Sequence, residues 1–520
     1  GRSMCGIVGN ENIRNLWDGL ARYKGDREFL VFEDCDGTVT RFTYGQFNAL
    51  INRTANYFLE LGVEKGENVA VQLYNSPEYL SVTFALSKIG AVSVPINMQH
   101  KVEECAFVFE RCAIRVLVTE PDFQEFYYGE KAGCSMETVL VCHAAGEFLE
   151  QGAVDFDTEV ARQSSVLTEI RELGSHDVAE IMFTSGTTSC PKGVELTHYN
   201  LLYSGLYGDW EFCLTPEDRF LTTMPAFHSN FQLSALMPVL TAGATLVFLR
   251  KYSARRFWKQ VRAHRATAVQ AVAMMARTMM MQPLDPEERD HQVRTVQYYL
   301  SISTEEKDAF EKRFGVRLQN CYGSTESVCW VLTDLAYGDR QWPSVWRAGL
   351  GYDVDIVNEE GASCAPGEIG EIVVSGVMGE TLMKGYYNDP KATARTFDAQ
   401  GRFLTGDKGY RDESGWFYFV DRKSNMIKRA GENISASEVE GVLLDYPGVA
   451  EAAVIGVDDS VRDQAVKAFV VFEEGARKDE EALRSYCAGR LADFKVPTLF
   501  EFPSELPHTS VGKVAKKLLS

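Results

Sequence analysis

A short apolar run, Ala179 to Phe183, is followed at once by Thr184-Ser185-Gly186-Thr187-Thr188-Ser189-Cys190-Pro191-Lys192-Gly193. The run reads as a buried strand, because an apolar stretch of this length bounded by turn residues suits the interior of a sheet. The stretch after it cannot join a core, since Thr184 to Ser189 are all hydroxyl side chains or glycine. Such a segment can wrap an anion: glycine lets backbone N–H groups come close, and hydroxyls add donors. Lys192 adds positive charge and Pro191 stiffens the exit. A Walker A loop needs Gly before its Lys and Ser or Thr after it. Pro191 and Gly193 flank Lys192 here, so the P-loop NTPase reading fails. A phosphate-binding loop of another kind is left, against a plain polar turn.

Around this loop strands and helices alternate, which predicts parallel sheets covered by helices. Residues 12–24 read as a surface helix with Leu16, Trp17, Leu20 and Tyr23 on one face. Thr43 suits the N-cap of a helix from Tyr44 to Leu61 closed by Gly62, and Ser76-Pro77-Glu78 opens another. The pattern continues through a helix at 200–209, a strand at 219–223, a helix at 231–240, a strand at 245–249 and a helix at 254–264. After Tyr322 glycines become frequent and short β-rich pieces appear at 353–357, 371–375 and 416–420, which suggests a barrel-like or meander subdomain. Asp421 to Asn425 is a polar break, and 426–520 reads as a compact α+β module. A chain of 520 residues is expected to form more than one domain. The expected fold is therefore α/β with a β-barrel-like subdomain: a large N-terminal domain over 4–420 and a smaller C-terminal one over 426–520.

The formal net charge of -20 argues against nucleic-acid and anionic-membrane partners, which need a basic face. It leaves room for a small polyphosphate in a locally positive pocket. Twelve cysteines are scattered without CxxC pairs or metal-ligand spacing, and no signal peptide is evident. They read as reduced thiols of a cytoplasmic protein. No run is long and apolar enough to span a bilayer. Gly1-Arg2-Ser3 ahead of Met4 is set aside from the fold.

Four further clusters carry chemistry. In Asn320-Cys321-Tyr322-Gly323-Ser324-Thr325-Glu326 an aromatic beside a glycine can stack on a purine, and a carboxylate one turn on can hold Mg²⁺ near phosphates. The plain alternative is a strand-end turn. In Thr405-Gly406-Asp407 the carboxylate can take two ribose hydroxyls, or the stretch is a common turn. Asp421-Arg422 is a charged pair at the break, or a solvated linker. In Pro507-His508-Thr509-Ser510-Val511-Gly512-Lys513 a lysine after glycine can reach a phosphate, or is a solvated tail residue.

In this order and spacing the clusters resemble the ANL superfamily of adenylate-forming enzymes, over nearly the whole chain from Tyr44. Within it the chain looks most like crotonobetaine/carnitine–CoA ligases, through Lys251–Arg255, Glu305–Phe310 and Asn425–Arg429. The resemblance implies that a small carboxylic acid and ATP give an acyl-adenylate and pyrophosphate, after which coenzyme A displaces AMP. It implies that Thr184, Ser185, Gly186, Thr187, Thr188 and Lys192 hold the β,γ-phosphates. Tyr322 beside Gly323 stacks on adenine, with the Asn320 region near the amino edge. Thr325 and Glu326 take the α-phosphate and Mg²⁺, with Thr184 also near the metal. Asp407 takes the ribose hydroxyls with Arg422 assisting, and Lys513 bridges the substrate carboxylate and the α-phosphate. The C-terminal domain is implied to be a mobile lid hinged at 421–425, where Ser424 stands in place of the usual Asp or Lys. The Lys428–Ser435 loop with Gly431 then serves the CoA step, and Phe494 and Lys495 resemble a CoA-nucleotide contact. His228 matches a gating residue of the acid pocket. Tyr298-Tyr299-Leu300 stands where many relatives have Gly-Gly-Ala, which argues for a short acid. Trp346 replaces a common Gly and can wall a quaternary-ammonium cage, or is simply packed. Ser229-Asn230 brings no carboxylate to such a cation. The expected function is an acid–thiol ligase for a short acid such as crotonobetaine, carnitine or γ-butyrobetaine. The rivals are a general short- or medium-chain acyl-CoA synthetase, a carrier-protein adenylation domain and a non-catalytic adenylate-binding protein. No membrane or nucleic-acid partner is expected, and a homodimer is compatible.

Overall fold

The computed structural model describes residues 6–98, 100, 102–127, 136–147, 149, 152–184, 191–299, 302–429, 432–509 and 513–520. They form two compact units: the chain up to Val354 together with Val374–Phe403, and Asp355–Val373 together with Leu404–Ser520. The Asp421–Asn425 break lies inside the second unit.

The first unit holds two large sheets. In one, the strands Leu318–Tyr322, Thr295–Tyr299, Ala268–Val272, Arg219–Thr222, Thr245–Leu249 and Glu28–Glu33 lie side by side in that order, all parallel. The chain goes from Arg219–Thr222 to its neighbour Thr245–Leu249, then crosses to Ala268–Val272 on the other side. This reversal is a topological switch point, where the carboxyl ends of parallel strands open a crevice. The other sheet runs Gly385–Tyr386, Lys192–Thr197, Val178–Thr184, Val92–Pro95, Asn68–Val71, Val116–Thr119, Thr138–Val141, Val154–Asp155.

Local chemistry sets the helices. Thr43 caps Tyr44–Glu60 through a reciprocal bond with Gln46, and Ser76 caps Pro77–Lys88. Trp17 is fully buried, with ring centroids 5.1 Å from Phe29, 5.3 Å from Phe84 and 5.6 Å from Phe47. One indole thereby ties three helices to a strand. Two expectations are corrected. The Ile13–Lys24 helix turns Ile13, Arg14, Trp17 and Leu20 inward, while Tyr23 is exposed. Arg14 is buried because its guanidinium donates to the carbonyls of Lys88 and Arg171. The helix expected over 231–240 is a short α turn at Ser229–Phe231, a π turn at Gln232–Leu236, then Met237–Ala242. The region expected after Tyr322 as a barrel-like or meander subdomain forms a four-stranded sheet ordered Asp353–Val357, Gly370–Ser375, Phe403–Arg411, Phe417–Arg422. The C-terminal module adds Glu432–Ser435, Met426–Arg429, Asp463–Phe472 and Val449–Asp459, with Leu499–Glu501 pairing Asp463–Phe472. Helices Ala436–Leu444 and Glu480–Ala488 supply Val439, Leu443, Leu483 and Cys487 to its core. Among the described residues no helix is long and apolar enough to cross a membrane.

The first unit also contains an ionic clasp. His143 Nδ1 lies 3.0 Å from Glu120 and its Nε2 lies 2.9 Å from Glu78. Burial opposes the charge, but hydrogen bonds and attraction from both carboxylates outweigh it and push the imidazole up to about 10 from 6.5. A folded-state value raised in this way stabilises fully below pH 6.5, and the contribution disappears as pH climbs through 10. His143→Gln is expected to cost about 2 kcal/mol at pH 6, the scale of hydrogen bonds to charged groups. The difference in melting temperature from the parent protein narrows progressively up to pH 10. A difference that stays constant over that range refutes the clasp.

Candidate active site

The phosphate loop leaves and re-enters the sheet at a fixed pair. Val178–Thr184 and Lys192–Thr197 are antiparallel, with Thr184 opposite Lys192 and Phe183 opposite Gly193. Gly193 is required there, since a Cβ would meet Ile181 at 2.8 Å and Phe183 at 3.0 Å. Ser185, Gly186, Thr187 and Thr188 lie outside the described residues, as do Leu300 and Gly431.

Several first-unit candidates lie at or just beyond the carboxyl ends of this sheet's strands. The chain leaving Arg219–Thr222 runs to His228, and this segment is pinned from both sides. Asn75 donates to the Met224 carbonyl at 3.0 Å and accepts the Ala226 N–H at 2.8 Å, while Gln232 donates to the Ala226 carbonyl at 2.9 Å. Gln232 opens the π turn, a distortion that recurs at functional sites. His228 is exposed, with its ring 4.4 Å from that of Phe227. The next residue touches the second motif: Ser229 Oγ lies 3.0 Å from Thr325 Oγ1. Tyr322 ends the Leu318–Tyr322 strand, half-buried. At Gly323 a Cβ would lie 2.5 Å from the Cys329 carbonyl oxygen, so only glycine lets the turn to Thr325 and Glu326 form. Asn320 gives its side-chain donors to the carbonyls of Pro343 and Ser344, both at 3.3 Å, and so braces the segment leading to Trp346. Buried Asp334 accepts the Asn320 N–H at 3.1 Å; burial pushes its carboxyl up to about 6.

Tyr298 and Tyr299 are consecutive in one strand and face opposite sides of the sheet. Tyr298 is fully buried, its ring 6.1 Å from Trp342. Tyr299 stacks on Trp330 with centroids 4.7 Å apart and planes 18° apart. On the Tyr299 side, Gln270 donates to the Asn230 carbonyl at 2.8 Å and to Gln297 at 2.6 Å. Trp330 Nε1 and Gln297 Nε2 are buried without a hydrogen-bond partner among the described residues, while the Tyr299 hydroxyl has the Asn230 side chain beside it. Buried polar atoms are nearly always satisfied, so a water or a ligand group can complete Trp330 Nε1 and Gln297 Nε2. Trp330, outside any strand, gave no signal in the sequence because its partner Tyr299 lies on a strand well before it in the chain. Trp346 is half-buried with φ +66°, the left-handed region that favours glycine.

The second unit presents its own group. Asp407 and Arg422 are cross-strand partners. Thr405 Oγ1 accepts the Asp407 N–H at 3.1 Å and donates to the Ile372 carbonyl at 2.6 Å, while Gly406 has φ +72°. Asp421 is not a solvated linker residue. It is 2% exposed and accepts from Ser435 Oγ, the Ser437 N–H and hydroxyl, and the Arg422 N–H. Lys428 is exposed, with its N–H donating to Gln464 at 2.9 Å. Lys513 exchanges bonds with Thr509, which donates its N–H to the Lys513 carbonyl at 2.6 Å and accepts the Lys513 N–H on Oγ1 at 3.2 Å. Partial desolvation of the ammonium, then the like charge of Arg422, lower Lys513 from the usual lysine value. Among the described residues no set of three His, Cys, Asp or Glu could hold a metal ion. Mg²⁺ at nucleotides needs only one or two carboxylates, with phosphates and water completing its shell. Glu326 is the carboxylate expected to serve there, and its backbone carbonyl accepts the Met383 N–H at 3.0 Å.

Residues 17–387 match the AMP-binding enzyme family, and residues 438–513 match the AMP-binding enzyme C-terminal domain family. Crotonobetaine/carnitine–CoA ligases of Salmonella paratyphi A and Salmonella typhi are each 45% identical over 515 residues, 99% of this chain and 99% of theirs. Among solved structures, the o-succinylbenzoate CoA synthetase of Bacillus subtilis in complex with its acyl-adenylate intermediate has a TM-score of 0.83 at 27% identity, covering 98% of each chain. ATP-bound MatB from Rhodopseudomonas palustris has a TM-score of 0.84 at 27% identity, again over 98% of each. The two family matches and the full-length likeness place this chain in the AMP-binding enzyme family, as an acyl-CoA synthetase of the ANL superfamily.

Proposed function

We propose that the acid is short and of betaine type, such as crotonobetaine, carnitine or γ-butyrobetaine. The observation that carries this reading is the 45% identity over the whole chain to ligases of that name. The stacked Tyr299–Trp330 pair supports it, since bulky rings at the carboxyl end of the Thr295–Tyr299 strand shorten the room for an acyl chain. Their π faces suit a quaternary ammonium without any carboxylate partner.

In the first half-reaction a carboxylate oxygen attacks the α-phosphorus of ATP, the bond to the bridging oxygen of the β-phosphate breaks, and pyrophosphate leaves. Two anions must meet, so charge stabilisation carries the catalysis. Thr184 and Lys192 hold the leaving phosphates, Tyr322 stacks on adenine, Thr325 and Glu326 face the α-phosphate, Asp407 with Arg422 holds the ribose, and Lys513 bridges the two reacting anions. Mg²⁺, held by Glu326 and Thr184, would neutralise charge on the phosphates. In the second half-reaction the CoA sulfur attacks the acyl carbon and AMP departs, with Lys428 beside the incoming thiol arm. The nine described cysteines are all free thiols, which suits work in the reducing cytoplasm.

The test is a panel of acids with ATP and CoA, the thioester being detected by mass. Betaine-type acids are expected to exceed butyrate in kcat/KM by about 10-fold or more, the upper range for one desolvated cation–π contact. Butyrate-like acids winning the competition would establish the general short-chain synthetase instead.

A further inference from the structure

Tyr386 lies far in sequence from the phosphate loop and from Glu326, yet its segment touches both. Met383–Tyr387 is stitched to them: the Met383 N–H donates to the Glu326 carbonyl at 3.0 Å, the Lys384 N–H to Glu195 at 3.0 Å, and the Tyr387 N–H to Gly193 at 2.7 Å. Tyr386 is the cross-strand partner of Val194, which sets its ring diagonally beside Lys192. Lys192 Nζ stands 5.2 Å from the centre of that ring. The Thr393 hydroxyl, at 2.9 Å, accepts the Tyr386 N–H and locks the backbone. The ring is 9% exposed, and its hydroxyl is raised in pKa by burial and then by the Glu326 carboxylate.

We propose that Tyr386 is a positioning residue for ATP: its ring face holds the Lys192 ammonium in place, beside the segment that carries Glu326. A free lysine would enter the phosphate site from many rotamers, and fixing it costs side-chain entropy. A carboxylate partner could fix it but would neutralise the charge the phosphates need. An aromatic face fixes the cation and leaves its charge available. The inference rests on the reading of Lys192 as a phosphate ligand.

The test uses the full chain, pyrophosphate exchange with ATP as the first readout, and CoA thioester formation from supplied acyl-adenylate as the second. Tyr386→Leu removes the ring and is expected to raise the KM for MgATP about 5- to 20-fold, the range of a partly desolvated cation–π contact. The KM for the acid and the CoA step should stay within about twofold, and Tyr386→Phe should restore the KM for MgATP. Phenylalanines of increasing fluorination at position 386 keep the shape while draining the ring face, so the KM for MgATP should climb stepwise with fluorine number. That series decides the matter even if the leucine variant fails to fold. In the Lys192→Ala background the Tyr386→Leu change should add nothing. If Lys192→Ala raises the KM for MgATP but the fluorinated series is flat, Tyr386 only packs and the inference falls. If Lys192→Ala itself leaves that KM unchanged, the phosphate-loop reading falls with it.

Discussion

Lys513→Ala is expected to slow acyl-adenylate formation about 100- to 1,000-fold, the loss typical of removing one preorganised stabilising group from a transition state. Thioester formation from supplied acyl-adenylate should remain within about threefold, because that step breaks the bond at the acyl carbon and forms none at the α-phosphorus, where Lys513 acts. The lysine is well placed to be selective. Its backbone is closed on Thr509, and the chain after it packs through Val514 and Leu519 on Phe469, Val471 and Leu506. The substitution therefore removes the ammonium without opening the core. Desolvation, and after it the like charge of Arg422, lower the Lys513 pKa, and an arriving anion offsets both. Lys513→Arg keeps the charge but replaces a point charge by a planar fork, and an intermediate rate is expected. Pyrophosphate exchange measures the first step and mass detection of the thioester measures the second. Equal loss of both half-reactions would refute the assignment of Lys513 to adenylation.

The parts of this molecule that read plainly from sequence are those decided within a few residues. Thr43 with Gln46, and Ser76 ahead of Pro77, announce helix starts because the capping groups and their targets are close in the chain. Family membership is legible for the same reason: the motif segments, Thr184–Gly193 among them, are short and local, and they lie within the stretch that matches the AMP-binding enzyme family. The features that escaped depend on residues far apart. Tyr23 matches the apolar spacing of its helix, but Arg14 takes the inward place by satisfying its donors on Lys88 and Arg171. The π turn at Gln232–Leu236 uses an apolar pattern that serves an α-helix as well. Asp421 looks like a linker charge until Ser435 and Ser437 close on it. Trp330 and Tyr386 owe their places to Tyr299 and Lys192, and no periodicity links such partners. The Tyr298-Tyr299 pair reads as one wall, whereas strand pleating sends the two rings to opposite faces.

Glu326→Gln is expected to lower adenylation about 100-fold or more and to raise the Mg²⁺ concentration for half-maximal rate about 10-fold, since a metal at phosphates depends on very few protein ligands. The amide keeps the size of the side chain, and the Glu326 backbone carbonyl still accepts the Met383 N–H, so the strap carrying Tyr386 is preserved. The neighbouring contact between Ser229 and Thr325 is also untouched, which keeps the His228 segment in place. The loss is one negative charge. The sign of two effects then separates a metal ligand from a general electrostatic role. A ligand role raises the Mg²⁺ requirement and leaves binding of the free acid unchanged. A carboxylate that merely repels the acid would, on neutralisation, tighten the acid KM and leave the Mg²⁺ dependence alone. Glu326→Asp, which retains the charge on a shorter arm, should recover part of the rate at high Mg²⁺. Titration of pyrophosphate exchange with Mg²⁺ at saturating ATP measures this directly, and an unchanged Mg²⁺ midpoint in Glu326→Gln would remove Glu326 from the metal site.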